Sequence, residues 1–310
     1  MKRYAFSMIE LIFVIVVMGI IGKFGVEFLA QSYKTFIFSS INNRLQADSG
    51  FAVEFIASRL QYRIKDSVIA KVAINSLVTT ANAVVPINQA DQAIADYKVI
   101  EWIATDVEGF KGLSDDGIPN LPDWSGIIDL YNPASNTTTL ISPNTDTGDL
   151  NILIDALSYE DSSIADAAIY SIGSNSDVMT SFGWSGALTQ SGIMHPITNS
   201  VTGNVNEFQS SNPATFAGSD ISEYYKLSWT ANAIAYVDNG TGKSGTLTFY
   251  WDYQPWNGDK ITDSTTKSAI IMENVSTFQF KAIGSIMKIQ VCTKSTVVEE
   301  YSLCKEKTIL

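Results

Sequence analysis

The stretch "RYAFSMIELIFVIVVMGIIGKFG", Arg3 to Gly25, decides how the rest of the chain is read. It is an apolar run that carries one carboxylate, Glu10, a few residues inside its start. From Phe6 to Gly22 only Ser7, Glu10 and two glycines interrupt the apolar side chains. As a helix this segment spans roughly 25 Å. Continuing it through Phe24 and Val26 to Leu29 reaches the ~30 Å of a hydrocarbon core, with Lys23 and Glu27 able to snorkel. An ionisable group within such a helix costs roughly 2.5–3.5 kcal/mol even on a mild insertion scale, so Glu10 needs a partner.

The charge distribution orients the segment. Lys2 and Arg3 precede the run, and the chain as a whole carries 20 Lys+Arg against 32 Asp+Glu, a formal net charge of −12. Basic residues stay on the cytoplasmic side of a membrane segment, so the N-terminus is expected inside and the acidic bulk outside. The same balance argues against nucleic acid, whose phosphates need a basic surface. The length of 310 residues and 45% hydrophobic content suit one large domain or two small ones with ample core.

A secretory signal peptide places its small-residue cleavage site after the apolar stretch. No such site follows here; a small residue, Ala5, instead precedes the run, just after the basic leader "MKRYA". Cleavage between Ala5 and Phe6 would remove the leader and leave the hydrophobic helix on the mature protein. It would also create an ammonium at Phe6, four positions from Glu10 and on the same helical face. In lipid each charge needs the other. A plain signal anchor that tolerates its glutamate is the competing interpretation.

With those residues in view, "A|FSMIELIFVIVVMGIIG" resembles the class III signal and N-terminal helix of type IV pilins and type II secretion pseudopilins. The resemblance implies a prepilin peptidase that cuts before Phe6 and methylates its amine. It implies that Glu10 docks the subunit into a filament, pairing within one chain or between neighbours. Ala5 stands where the family prefers Gly, and the family's frequent helix proline is absent, the first proline being Pro86. "EFIASRLQYRIKDSVI" further resembles the helix end of the large J-type minor pseudopilins and W-type minor pilins.

The helical pattern continues beyond the membrane. Tyr33, Phe36, Ile37, Ile41, Leu45, Ala52, Phe55, Ile56 and Leu60 recur at helical intervals as a stripe along one face. No proline interrupts, and Gly50 is the one weak point, at ~1 kcal/mol relative to Ala. A helix from Phe6 to about Lys65 would be roughly 90 Å long. From Ser67 onward turn residues punctuate short β-like runs. "YKVIEWIAT" (Tyr97–Thr105), "GIIDLYN" (Gly126–Asn132), "TTTLIS" (Thr137–Ser142) and "DAAIYSIG" (Asp166–Gly173) read as strands. "DLNILIDALSY" is either a strand or a short helix. Residues 174–222 are Ser/Asn/Gly-rich and weakly patterned, which fits long loops or a small irregular insertion.

Two β-runs joined by "DNGTGKSG" make a hairpin, and "VSTFQFKAIGSIMKIQVC" makes another, turning at Ile283–Gly284–Ser285. The exported context predicts a disulfide between the chain's two cysteines, Cys292 and Cys304, with a stabilisation of about 3 kcal/mol from the closed loop.

Catalytic chemistry finds little to work with. The single histidine, His195 in "GIMHPI", reads as a surface loop residue, and no phosphate-binding glycine loop follows a strand. The chain is not expected to be an enzyme and no cofactor is expected. Calcium is the one cation raised. "SDDGIPNLPD" offers Asp115, Asp116, Asn120 and Asp123, and "NTDTGDLN" offers Asn144, Asp146, Asp149 and Asn151. Neither has EF-hand spacing, and Asp/Asn/Gly turns arise for backbone reasons alone. Some pseudopilins use calcium, which is what the resemblance adds. In "FYWDYQPWNGDK" alternation sends Phe249, Trp251 and Tyr253 to one face and Tyr250 to the other. Trp256 is either core or an exposed contact to a neighbouring subunit.

The expected fold is α+β and pilin-like, a long helix packed on an antiparallel sheet. Its parts are a leader (1–5), a transmembrane and filament-core helix (6–28), an amphipathic continuation (29–66), and a periplasmic β-rich domain with a C-terminal disulfide loop (67–310). The expected role is a minor pseudopilin in a bacterial inner membrane, anchored by a single pass. Its partners would be other pilins or pseudopilins, the prepilin peptidase and the inner-membrane assembly platform. The alternatives are a minor type IV pilin, or an adhesin or binding module displayed on a pilin helix.

Overall fold

A computed structural model describes residues 7–112, 122–174, 176–186, 193–211, 216, 221–240, 244–295 and 301–310. Its first element is one unbroken helix, α1 (Met8–Gln61), of 54 residues. It ends at Gln61, short of Lys65, because Arg63 turns back on it. The Arg63 guanidinium donates to the Leu60 carbonyl (2.7 Å) and to the Ser285 carbonyl (2.9 Å), tying the helix end to a distant hairpin.

The apolar stripe splits in two along this helix. From Leu45 onward it is buried at Leu45, Ser49, Ala52, Val53, Ile56, Ala57 and Leu60. Tyr33 and Phe36, expected on the same stripe, are exposed.

The buried half lies on a large antiparallel sheet. In chain order its strands are β1 (Ile69–Lys71), β2 (Val84–Pro86), β3 (Val99–Ile103), β9 (Ala231–Asp238), β10 (Gly245–Trp251), β11 (Lys267–Ile283), β12 (Ile286–Lys294) and β13 (Ser302–Ile309). Spatially they run β13-β12-β11-β10-β9-β3-β1-β2. The two C-terminal hairpins form as the sequence predicts: Gly245 faces Asp238, and Ile283 faces Ile286 around Gly284, which takes φ +59°. The C-terminal segment is not a loop. It is β13, an edge strand in full register with β12, with Cys292 opposite Cys304.

A second sheet has the order β4-β7-β6-β5-β8, from β4 (Thr139–Ile141), β5 (Ala168–Ser171), β6 (Met194–Asn199), β7 (Glu207–Ser210) and β8 (Tyr225–Ser228). Two of these strands, β6 and β7, lie in the region that weak patterning left as loop or insertion. Gly126–Asn132, in contrast, is not a strand. Ile127 makes one bridge to Tyr224, and then the Asp129 carboxylate accepts from the Tyr131 and Asn132 amides, closing a turn ahead of Pro133. "DLNILIDAL" falls within α3 (Thr147–Leu157), and a single helical turn, α2 (Val107–Phe110), follows β3.

Period-two alternation explains the layering. On β3 and β9 the side chains of Ile100, Trp102 and Ile234 meet Ala52, Ile56 and Leu60 of α1. Val99, Ile103, Ala231, Ala233 and Ala235 point the other way, where small alanines admit Tyr170, Phe182 and Met194. Beyond the small sheet, Ile169, Ile197 and Leu227 pack with Leu150 and Ile154 of α3.

Candidate functional site

At the N-terminal end of α1 the backbone of Ser7 is extended (φ −76°, ψ 149°), so Ser7 is the N-cap. Glu10 folds back onto it, its Oε2 accepting from the Ser7 amide (3.1 Å) and the Ser7 hydroxyl (3.0 Å). The carboxylate sits in the first turn, where the helix dipole favours negative charge. Glu10 therefore stabilises the helix start, through bonds that are both local. Ala5 and Phe6, the expected processing pair, lie outside the described residues.

From Met8 to Phe38 the apolar side chains of α1 face outward. Met8 is 82% exposed, and no residue of the most apolar 18-residue window is buried. That window makes α1 long and apolar enough to cross a membrane. Lys23 and Glu27 meet each other at 3.9 Å one turn apart, so the two charges at the far end of the apolar run are paired. A soluble monomer rarely exposes contiguous apolar surface beyond a few hundred Å². Helix residues 8–38 thus form a surface that needs lipid or protein around it.

The other predicted residues are placed elsewhere. Cys292 and Cys304 are joined in a disulfide between facing positions of β12 and β13, Cα atoms 4.0 Å apart. Asp146 caps α3, accepting from the Gly148 and Asp149 amides, and Asn151 accepts from the Ile164 amide. Those oxygens are occupied by backbone donors. Asp115, Asp116 and Asn120 lie outside the described residues, while Asp123 is buried. Among the described residues no three His, Cys, Asp or Glu side chains converge as metal ligands.

Two readings are corrected, and one open alternative is decided. His195 is not a surface residue: it lies in β6, 4% exposed, opposite Ile169 and edge-on to Phe216. Of the two alternatives for Trp256 the core one holds: the ring is buried and its indole donates to the Asp166 carbonyl at 3.0 Å. Tyr253 leaves the face of Phe249 and Trp251 for the opposite core. The cause is Asp252, whose left-handed backbone (φ +62°) breaks the alternation.

One buried polar cluster has no precedent in the sequence reading. On the face of the large sheet away from α1, Lys71 and Glu101 form an ion pair at 2.6 Å with side chains 11% and 1% exposed. Tyr253 lies beside them, its phenol pushed well above its usual pKa by burial and by the Glu101 carboxylate. A glutamate in the middle of "VIEWI" was the available signal. Together these residues line a cavity of about 190 Å³.

No protein-family model matches the chain, and neither the curated proteins nor the solved structures contain a match.

Proposed function

We propose that this chain is a prepilin-type filament subunit, a large minor pseudopilin of a type II secretion system. In this reading it matures in the bacterial inner membrane by cleavage before Phe6. It then joins a filament through α1, with its β-rich domain on the periplasmic side. The observation that carries the reading is the extent of exposed apolar surface on α1. Met8 to Leu29 covers roughly 33 Å, enough for a membrane. Yet Tyr33, Phe36 and Phe38 remain exposed beyond it, before burial begins at Leu45. A display anchor needs only the first part. A helix that packs among sister helices accounts for both.

Glu10 supplies the docking chemistry. In the described chain it bonds to Ser7, but a carboxylate carries about four lone-pair sites. It can hold the N-cap and still accept from an ammonium. An amine in the hydrocarbon region is as costly as the carboxylate, so pairing the two favours assembly over isolation in lipid.

The test is Glu10→Ala in the host that makes the filament. The variant should be processed and inserted normally, yet its amount in the sheared filament fraction should fall about tenfold or more, the expected cost of leaving a buried charge unpaired. Incorporation equal to the unsubstituted chain would remove the docking role.

A further inference from the structure

The ion pair of Lys71 and Glu101 sits where its sheet face is otherwise apolar. Val99 and Ile103 flank Glu101 on β3, Ala233 faces it from β9, and Lys71 faces Val99 from β1. Taking two charges out of water is costly, and apolar residues of similar volume hold a core as well or better. Packing alone does not call for this pair. With Tyr253 it forms the floor of the cavity of about 190 Å³.

The three floor residues are not equally hidden. Glu101 and Tyr253 are each 1% exposed, whereas the Lys71 side chain keeps 11% of its surface open. An ammonium carries three donors. Among the described residues the one partner of this ammonium is Glu101, at 2.6 Å, which leaves donors for a ligand. The pair thus presents a cation to the cavity, fixed in place by an anion sealed behind it.

Three loops, 74–79, 183–186 and 258–262, raise walls around this floor. The middle one depends on Gly183. Its backbone is left-handed (φ +88°), and a Cβ there would run into the Pro255 carbonyl, so only glycine lets the loop lie this close. The Trp184 indole then donates to the Ser67 carbonyl at 2.9 Å, which holds the ring in place. Ile74, Trp184 and Ile261 make the walls largely apolar, and the exposed Leu77 and Lys260 stand at the mouth. Asp259 is the one acid on these walls, and its carboxylate is engaged by the Gln254 amide at 3.2 Å.

These features select a ligand chemistry. The volume is below the ~300 Å³ at which sites for drug-sized molecules begin, so the ligand is small. A cation would meet Lys71 head-on. Phosphate or sulfate would set charged oxygens against apolar walls. A hydrocarbon would cover the ammonium and leave its free donors unpaired. A single carboxylate accepts charge-assisted bonds from those donors and turns the rest of its molecule to the walls. We propose that this pocket binds a small carboxylate with an apolar body, the carboxylate on Lys71 and the body between Ile74, Leu77, Trp184 and Ile261. The pocket opens on the face of the large sheet away from α1 and does not depend on the assembly role of that helix.

The test is isothermal titration calorimetry on the full chain in a non-ionic detergent, with 4-methylpentanoate, leucine and the uncharged 4-methylpentanamide. At least one of the two acids should bind saturably, and the amide should bind about tenfold or more weakly. Tighter binding of leucine identifies an amino acid, whose ammonium answers Asp259; tighter binding of 4-methylpentanoate identifies a simple acid. Lys71→Met alone would strand a buried carboxylate, so it is combined with Glu101→Gln, and the double variant should lose binding about tenfold or more. Leu77→Asp, at an exposed position, should weaken binding with an unchanged circular dichroism spectrum, and it decides the matter if the double variant misfolds. Saturable binding of neither acid, an amide that binds as tightly as the acids, or unaltered binding in the folded variants would overturn the proposal.

Discussion

Asp106 shows how much one residue's surroundings set its chemistry. It is the N-cap of α2, accepting from the Gly109 amide at 3.3 Å and from the Trp124 indole at 2.9 Å. Burial outweighs those bonds, and with Glu108 and Asp123 nearby it pushes the carboxyl up from 3.8 to about 7. Between these values the folded chain holds a proton that the unfolded chain has released, so stability from this group falls as pH rises through that window. Below about pH 4 the contribution is fully present, and above about pH 7 it is gone. Melting temperature measured against pH should therefore decline from about pH 4 to 7, and Asp106→Asn should flatten that slope. An Asn variant with the same slope would assign the dependence to other groups. None of this could be read from the sequence, where Asp106 is one acid among many and its burial depends on Trp124. Glu10 is the opposite case. An apolar run flanked by basic residues exposes it at once, and the local bond to Ser7 follows from helix capping alone.

Elements were legible where their signal is local. The long helix and the two C-terminal hairpins each carry their own periodicity and their own turn residues. The second sheet was not, and β6 shows why. It reads "MHPITN", with a proline that argues against a central strand, and its first four residues are all buried rather than alternating. Its partner β5 lies beyond a long connection, so pairing is decided by tertiary packing. The same holds for β13, whose Lys305, Glu306 and Lys307 are typical of a protected edge strand rather than of an apolar β-run. Its attachment rests on pairing to β12, the Glu54–Lys307 ion pair and the disulfide. Replacing both cysteines with serine should cost about 2–4 kcal/mol in denaturant unfolding. Amide exchange should then rise in 302–309 while β3 stays protected. Uniform exchange across the large sheet would show that β13 is no separate unit.

For the whole molecule, the division at Leu45 matters most. Before it the chain presents apolar surface to its surroundings, and after it the same helix is part of a folded core. The Asn42 side chain accepts from the Tyr301 hydroxyl at 2.9 Å, which sets the limit of the domain's grip on α1. A chain of residues 40–310 should accordingly be water-soluble, monomeric and folded, with its disulfide formed. If that fragment aggregates or loses near-ultraviolet dichroism, the exposed half of α1 is needed for folding and not only for association. The sequence foretold the length of the helix but not this division, because Tyr33 and Phe36 continue the stripe that Leu45 and Ile56 bury.

The central claim is that the apolar helix belongs to a processed filament subunit, and the N-terminus of the mature protein tests it most directly. Intact-mass and peptide mass spectrometry of the protein purified from its host membrane should find a chain that begins at Phe6 with a methylated amine. A chain that still begins at Met1, or one cut after the apolar run, would contradict it.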